Sequence, residues 1–266
     1  MLRDITIGQY YPADSVIHKL DPRTKLMGAL LYIVSLFVFR GVAGFVAVTL
    51  ALIFIIALSK VPFGYMVRGL KAIVVILVIT IVFNLFLTPG EPLVEFWKFR
   101  ITWQGLENAG FMAVRLTYLI LGSSVLTLTT TPNQLTDGME QALKPLNKIR
   151  VPVHEISMMM SIALRFIPIL IEETDKIMKA QLARGAEFES GNLIKKAKSL
   201  VPLLVPLFIS AFRRANDLAM AMEARCYHGG QGRTKMKPLR YKRKDAAVYL
   251  LSVGYFAGVI ALRIVF

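Results

Sequence analysis

The stretch VAGFVAVTLALIFIIAL, Val42 to Leu58, carries no charge and a single hydroxyl, that of Thr49. A helix built from it has no polar face to turn toward water, so it belongs in lipid or in a wholly apolar interior. Four similar runs flank it along the chain: Leu26–Phe39, Gly69–Thr88, Gly110–Thr130 and Ala246–Phe266. A helix crosses the hydrocarbon core with roughly 20 apolar residues. By that measure Leu26–Phe39 and Val42–Leu58 are short. They read either as two spans, the first extended by snorkelling of Lys25 and Arg40, or as one broken hairpin that does not fully cross. Thr88-Pro89-Gly90 closes the third run, and Arg115 lies near the outer end of the fourth. The expected fold is an all-α integral membrane protein with about five spans.

Composition agrees with this reading. The 266 residues are 55% hydrophobic and 18% charged, against about 45–50% and about 25% in soluble domains. The only cysteine, Cys226, excludes a disulfide framework, and His18, His154 and His228 are too far apart for a metal-ligand spacing. No metal site and no cofactor are expected. The net charge of +15 is concentrated: residues 131–245 hold 20 Lys/Arg against 11 Asp/Glu, and Lys60, Arg68 and Lys71 stand without an acid. With no nucleic-acid motif beside it, this is the basic bias of cytoplasmic loops, and no nucleic-acid partner is expected. Five spans starting inside place residues 1–25, 59–69 and 131–245 in the cytoplasm, with 89–109 and the C-terminus outside. The first apolar run starts too late, behind a polar segment, to read as a signal peptide.

Three domains follow: 1–130 with about four spans, a cytoplasmic segment 131–245, and a last span at 246–266. The middle segment is too long for a loop. Thr131 reads as a helix N-cap with Pro132 at the first position. A second helix runs from Val153 to about Arg184, with Pro168 expected to kink it. Its apolar part, 156–171, contains Arg165 and is short, so it reads as interfacial or protein-facing rather than as a sixth span. A third helix is expected from about Pro202 to Tyr227, and residues 231–245 read as a basic connector attracted to lipid headgroups. The two longer helices match at an offset of 41: Ile177 with Leu218, Ala180 with Ala221, and Ala183-Arg184 with Ala224-Arg225. Each ends on a small residue and a guanidinium whose donors fit a carboxylate bidentately.

Ala183-Arg184-Gly185 and Ala224-Arg225-Cys226, each closing a helix after four apolar spans, resemble motifs of the transmembrane T component of energy-coupling factor transporters (the EcfT, CbiQ-like family). The opening Ser15-Val16-Ile17-His18-Lys19-Leu20-Asp21-Pro22-Arg23-Thr24-Lys25 is similar to that family's S-x-I-H-x-L-D-P-R-x-K segment. The resemblance implies a scaffold in a prokaryotic cell membrane that joins two ABC-type ATPases to exchanging substrate-binding S components for vitamin or micronutrient uptake. It implies that Ala183, Arg184, Gly185, Ala224, Arg225 and Cys226 form the ATPase coupling motifs. Cys226 departs from the pattern's glycine, which puts the turn after Arg225 in question, because cysteine disfavours positive φ. The opening and the absence of a fused soluble domain look most like the shared, multi-vitamin class. Met158, Met159 and Met160 read either as core filling or as an adaptable surface suited to several S components.

Rival functions lack their signatures. The chain has no G-x-x-x-x-G-K-[ST] phosphate loop and none of the common hydrolase motifs, so it is not expected to be an enzyme. Glu155, Glu172, Glu173 and Asp175 read as a solvated helix face. A permease or carrier with its own path would show polar residues facing one another at mid-bilayer, where these spans carry Leu, Ile, Val, Ala and Phe.

Overall fold

The computed structural model describes residues 10–39, 41–96, 99–186, 188, 192–230, 236 and 238–265. Arg40, Gly191 and residues 231–235 and 237 of the expected connector lie outside the described residues. Eight helices follow the apolar pattern: α1 (Pro22–Val38), α2 (Val42–Ser59), α3 (Phe63–Leu87), α4 (Trp103–Thr129), α5 (Pro132–Leu143), α6 (Val153–Ala183), α7 (Leu193–Ala224) and α8 (Arg243–Val265). A short 3-10 turn, Lys144–Ile149, separates α5 from α6. The chain divides into two compact units, residues 8–138 with 239–266, and residues 139–238.

All five expected apolar runs are helical. Among the described residues α2, α4 and α8 are long and apolar enough to cross a membrane, as is α3 if its two arms, bent by 61°, count as one span. The short first run is kept, and one point differs from the sequence reading. Helix α1, at 17 residues, is the shortest of the five. Helix α6 also meets the length and composition of a span, because it runs unbroken through Pro168 for 31 residues and so contains a long stretch with few charges. The outward faces are apolar: Leu50, Phe54, Val75 and Leu250 are all more than half exposed. Water would not tolerate a surface of this kind over so many helices, but lipid does. The protein is a multi-pass membrane protein.

One element was absent from the sequence reading. Between α3 and α4, β1 (Pro92–Phe96) pairs antiparallel with β2 (Phe99–Thr102), with Glu95 opposite Arg100 and Phe96 opposite Phe99. Strands of five and four residues are too short for alternation to stand out in a sequence. The segments are nevertheless rich in Val, Phe, Ile and Thr, which favour strands.

The membrane unit packs around Tyr32, Leu36, Val48, Leu52, Leu121 and Val125, drawn from α1, α2 and α4, with Val259 of α8. Polar contacts pin the same helices. Tyr32 donates to the Tyr118 carbonyl at 3.1 Å, Ser35 and Tyr255 share a hydroxyl bond of 2.9 Å, and Thr49 and Tyr118 share one of 2.7 Å. Arg115 does not simply run to the outer interface, because its guanidinium donates to the Phe39 carbonyl at 3.2 Å and so caps the end of α1. Asn84 donates to the Thr80 carbonyl of its own helix at 2.8 Å.

The opening segment ties this unit together. Tyr11 N–H donates to Leu128 O, and the ammonium of Lys25 donates to Thr129 O at 2.8 Å and His18 O at 3.2 Å. The His18 ring bridges Ser15 Oγ at 2.6 Å and Tyr11 O at 2.9 Å. A carbonyl only accepts, so Nε2 carries the proton and the neutral ring accepts from Ser15 at Nδ1. Burial, opposed by the hydrogen bond to Tyr11, holds His18 below its ordinary value.

Asp21 is the N-cap of α1 and accepts from Arg23 N–H at 3.0 Å. Its own N–H donates to Asp245 Oδ1 at 2.8 Å, while Asp245 Oδ2 accepts from Lys242 N–H, just before α8, at 2.7 Å. One buried carboxylate therefore satisfies backbone donors at the start of two helices, which otherwise have no partner. Asp245→Ala leaves two buried N–H groups unpaired, at about 1–3 kcal/mol each. The expected loss is about 2–6 kcal/mol, with Asp245→Asn intermediate because it keeps one acceptor oxygen. The denaturation midpoint of the purified chain in detergent checks this.

Candidate functional site

The second unit is organised by α6 and α7, which follow the last residues of α5. Helix α5 opens on a reciprocal cap, with Gln134 N–H donating to Thr131 Oγ1 and Thr131 N–H to Gln134 Oε1, both at 3.3 Å. Helix α7 starts at Leu193, nine residues before Pro202 where the sequence reading placed it, and Pro202 and Pro206 lie inside it. A proline within a helix leaves the carbonyl four residues back without its donor. For Pro206 that carbonyl belongs to Pro202, and Gln181 of α6 donates to it at 3.3 Å. The neighbouring helix thus supplies the hydrogen bond that proline removed.

The same pair meets at Glu173 and Arg214, 3.1 Å apart. Glu173, read from sequence as solvated, is an ion-pair partner between helices. The two residues are 41 positions apart, so each occupies the same point of its repeat. The contacts 173 with 214 and 181 with 202 run in opposite directions, and the helices are antiparallel. Each Ala-Arg end lies eleven residues beyond the ion pair, roughly 16 Å along its own helix, on opposite sides of it.

The two ends are built alike. After α6, Gly185 N–H donates to Leu182 O and Ala186 N–H to Gln181 O, both at 3.0 Å. After α7, Cys226 N–H donates to Glu223 O at 2.8 Å and Tyr227 N–H to Met222 O at 3.1 Å. This is the Schellman closure, twice, at corresponding positions. It requires positive φ at the residue after the arginine, and Gly185 has φ 85° and Cys226 φ 54°. Cysteine takes the glycine conformation despite its Cβ, so the turn questioned from sequence is kept. Arg184 and Arg225 are the C-cap residues, and both are exposed. Neither guanidinium has a partner among the described residues, so each presents a free planar fork at a helix end. Ala183 and Ala224 beside them are also exposed. Met159 and Met160 are 58% and 44% exposed on α6, and Met158 is half-buried, so this methionine run lies mainly on a surface. Among the described residues no cluster of His, Cys, Asp and Glu could hold a metal ion.

The arrangement of spans, paired helices and repeated tips has close relatives. The CbiQ family, described as cobalt transport protein, matches residues 13–236. The chain belongs to this family. Proteins named energy-coupling factor transporter transmembrane protein EcfT carry the similarity over nearly the whole length. That of Clostridium kluyveri is 59% identical over 247 residues, 92% of each chain. That of Ruminiclostridium cellulolyticum is 49% identical over 266 residues, the full length of both, and that of Bacillus subtilis is 46% identical over 99% of this chain and 100% of its own. Within the CbiQ/EcfT family the chain is a transmembrane component of an energy-coupling transporter.

The residues that sequence reasoning missed are Glu173, Arg214 and Gln181. Extending the offset of 41 backward from Ile177 pairs positions 173 and 214, an acid and a base, which was the available signal. At the Cys226 turn, replacement by glycine removes a left-handed penalty of about 1–2 kcal/mol. Cys226→Gly is expected to slow amide exchange at positions 226 and 227 several-fold, read by mass spectrometry, whereas Gly185→Ala speeds it at 185 and 186.

Proposed function

We propose that this chain is the energy-coupling scaffold of an ATP-driven importer, in which Ala183-Arg184-Gly185 and Ala224-Arg225-Cys226 dock on two ABC-type ATPases and the membrane unit holds an S component. The observation that carries the reading is the repeated helix end: two exposed arginines on identical closures, joined through one antiparallel pair. Two similar tips suit two similar partner surfaces. An acidic group in each ATPase groove would receive the guanidinium bidentately. Because the pair is linked by Glu173–Arg214 and Gln181–Pro202, motion imposed on one tip is transmitted to the other helix. Met158, Met159 and Met160 offer a repackable surface for S components of different sequence, and vitamins or other micronutrients are the substrate class. ATP hydrolysis belongs to the partners.

The reading requires residues 131–245 and the N-terminus in the cytoplasm of a prokaryotic cell and the C-terminus outside, which the basic bias of those segments supports. Cysteines introduced at positions 95, 64, 190 and 235 in a Cys226→Ser background test it. Position 95 should react with an impermeant reagent added outside, and the other three only after permeabilisation. External labelling at 190 overturns the orientation and any contact with cytoplasmic ATPases.

Truncating one partner of a buried charge pair costs on the order of 2–5 kcal/mol, mainly in dissociation. Arg184→Ala or Arg225→Ala alone should weaken the complex, since the other tip still holds it. The double variant should lose ATPase co-purification and transport at unchanged membrane insertion, and lysine should rescue only in part. Assembly and uptake at the parental level in the double alanine variant overturn the assignment.

A further inference from the structure

The two tips share one closure but not one support. Beyond Arg225 the chain reaches Gly229, at φ 96°, and Gly230, which lies against the ring of His154 at the start of α6. A Cβ at Gly230 would collide with that ring, so only glycine permits this approach. The ring is itself fixed. His154 Nδ1 lies 3.0 Å from Glu140 Oε1, and Ser157 Oγ donates to Glu140 Oε2 at 3.2 Å. A carboxylate only accepts, so Nδ1 carries the proton, and Nε2 is buried against Gly230 with no partner among the described residues. Glu140 belongs to the last turn of α5, so the group joins the end of α5, the start of α6 and the segment that follows α7.

Beyond Arg184 no comparable seat exists among the described residues. We infer that His154, oriented by Glu140, is a positioning residue for Arg225: it seats the Gly229–Gly230 turn and thereby presets the tip that carries this arginine. A preset tip binds without an ordering cost, so loosening the seat weakens the Arg225 contact. This rests on the coupling role proposed above for Arg225.

The test uses the full chain in detergent or nanodiscs. A nitroxide on the native Cys226 reports one tip, and a nitroxide on Ala186→Cys in a Cys226→Ser background reports the other. His154→Ala should shorten the correlation time at 226 at least two-fold and leave 186 unchanged. Gly230→Ala, whose Cβ collides with the ring and so disturbs the same seat from the other side, should do the same. No change at 226, or equal loosening at both tips, in either variant overturns the inference. These readouts need no ATPase, so they stand even if the coupling role fails. Within the assembled transporter, a mutant cycle separates positioning from general destabilisation. His154→Ala should weaken ATPase retention about five-fold, add little on top of Arg225→Ala, and add fully on top of Arg184→Ala. Full additivity with both arginine variants would likewise overturn it.

Discussion

The Asp245 carboxylate is the contact on which the membrane unit depends. Its two oxygens accept from the N–H groups of Asp21 and Lys242, so the starts of the first and last helices share one acceptor. Around this point Arg23 bonds Asp21 and lies over the Tyr241 ring at 4.0 Å, and Lys25 holds the end of α4 through Thr129. In an apolar surround every such donor needs a partner within the protein. The D-P-R-x-K part of the opening segment therefore has a physical meaning before any functional one. Asp caps α1, Pro fits its first turn, Arg neutralises the cap, and Lys closes the neighbouring helix.

A different logic governs α6 and α7. Neither is held by a large core: Val153, Ser157 and Leu203 are among the few buried side chains along them. What defines the pair is a set of directional contacts, the Glu173–Arg214 ion pair and the Gln181 bond to the carbonyl that Pro206 leaves free. Directional contacts fix register more than they add stability, since a half-exposed ion pair contributes little. Such contacts leave the helix ends and outer faces exposed.

The spans were legible in the sequence because apolarity over 14 or more residues is a local property, and the repeated Ala-Arg ends were legible because they recur at a fixed offset. What escaped reading was non-local or compensated. A start near Pro202 was expected, yet α7 begins at Leu193 and runs through both prolines, with Gln181 taking the carbonyl that Pro206 leaves free. Arg115 was read toward the interface because the carbonyl it caps, Phe39, lies 76 positions away. Glu173 looked solvated because its partner lies 41 positions on. The turn after Arg225 was doubted on cysteine's preference, and backbone hydrogen bonds at 2.8 and 3.1 Å outweighed that preference.

The clasp at Asp245 also sets an order of events in synthesis. Asp21 and its acceptor are 224 positions apart, and ribosomes add roughly 5–20 residues per second, so roughly 10–45 s pass between their appearance. During that interval α1 to α4 are inserted while the donor at the head of α1 has no protein partner, and the whole 139–238 unit emerges in between. The membrane unit is completed by the last helix made, not the first. A nascent chain that stops before α8 is thus distinguishable from a finished one by an unsatisfied group at its N-terminal end, a difference that membrane quality control could read without inspecting the missing C-terminus.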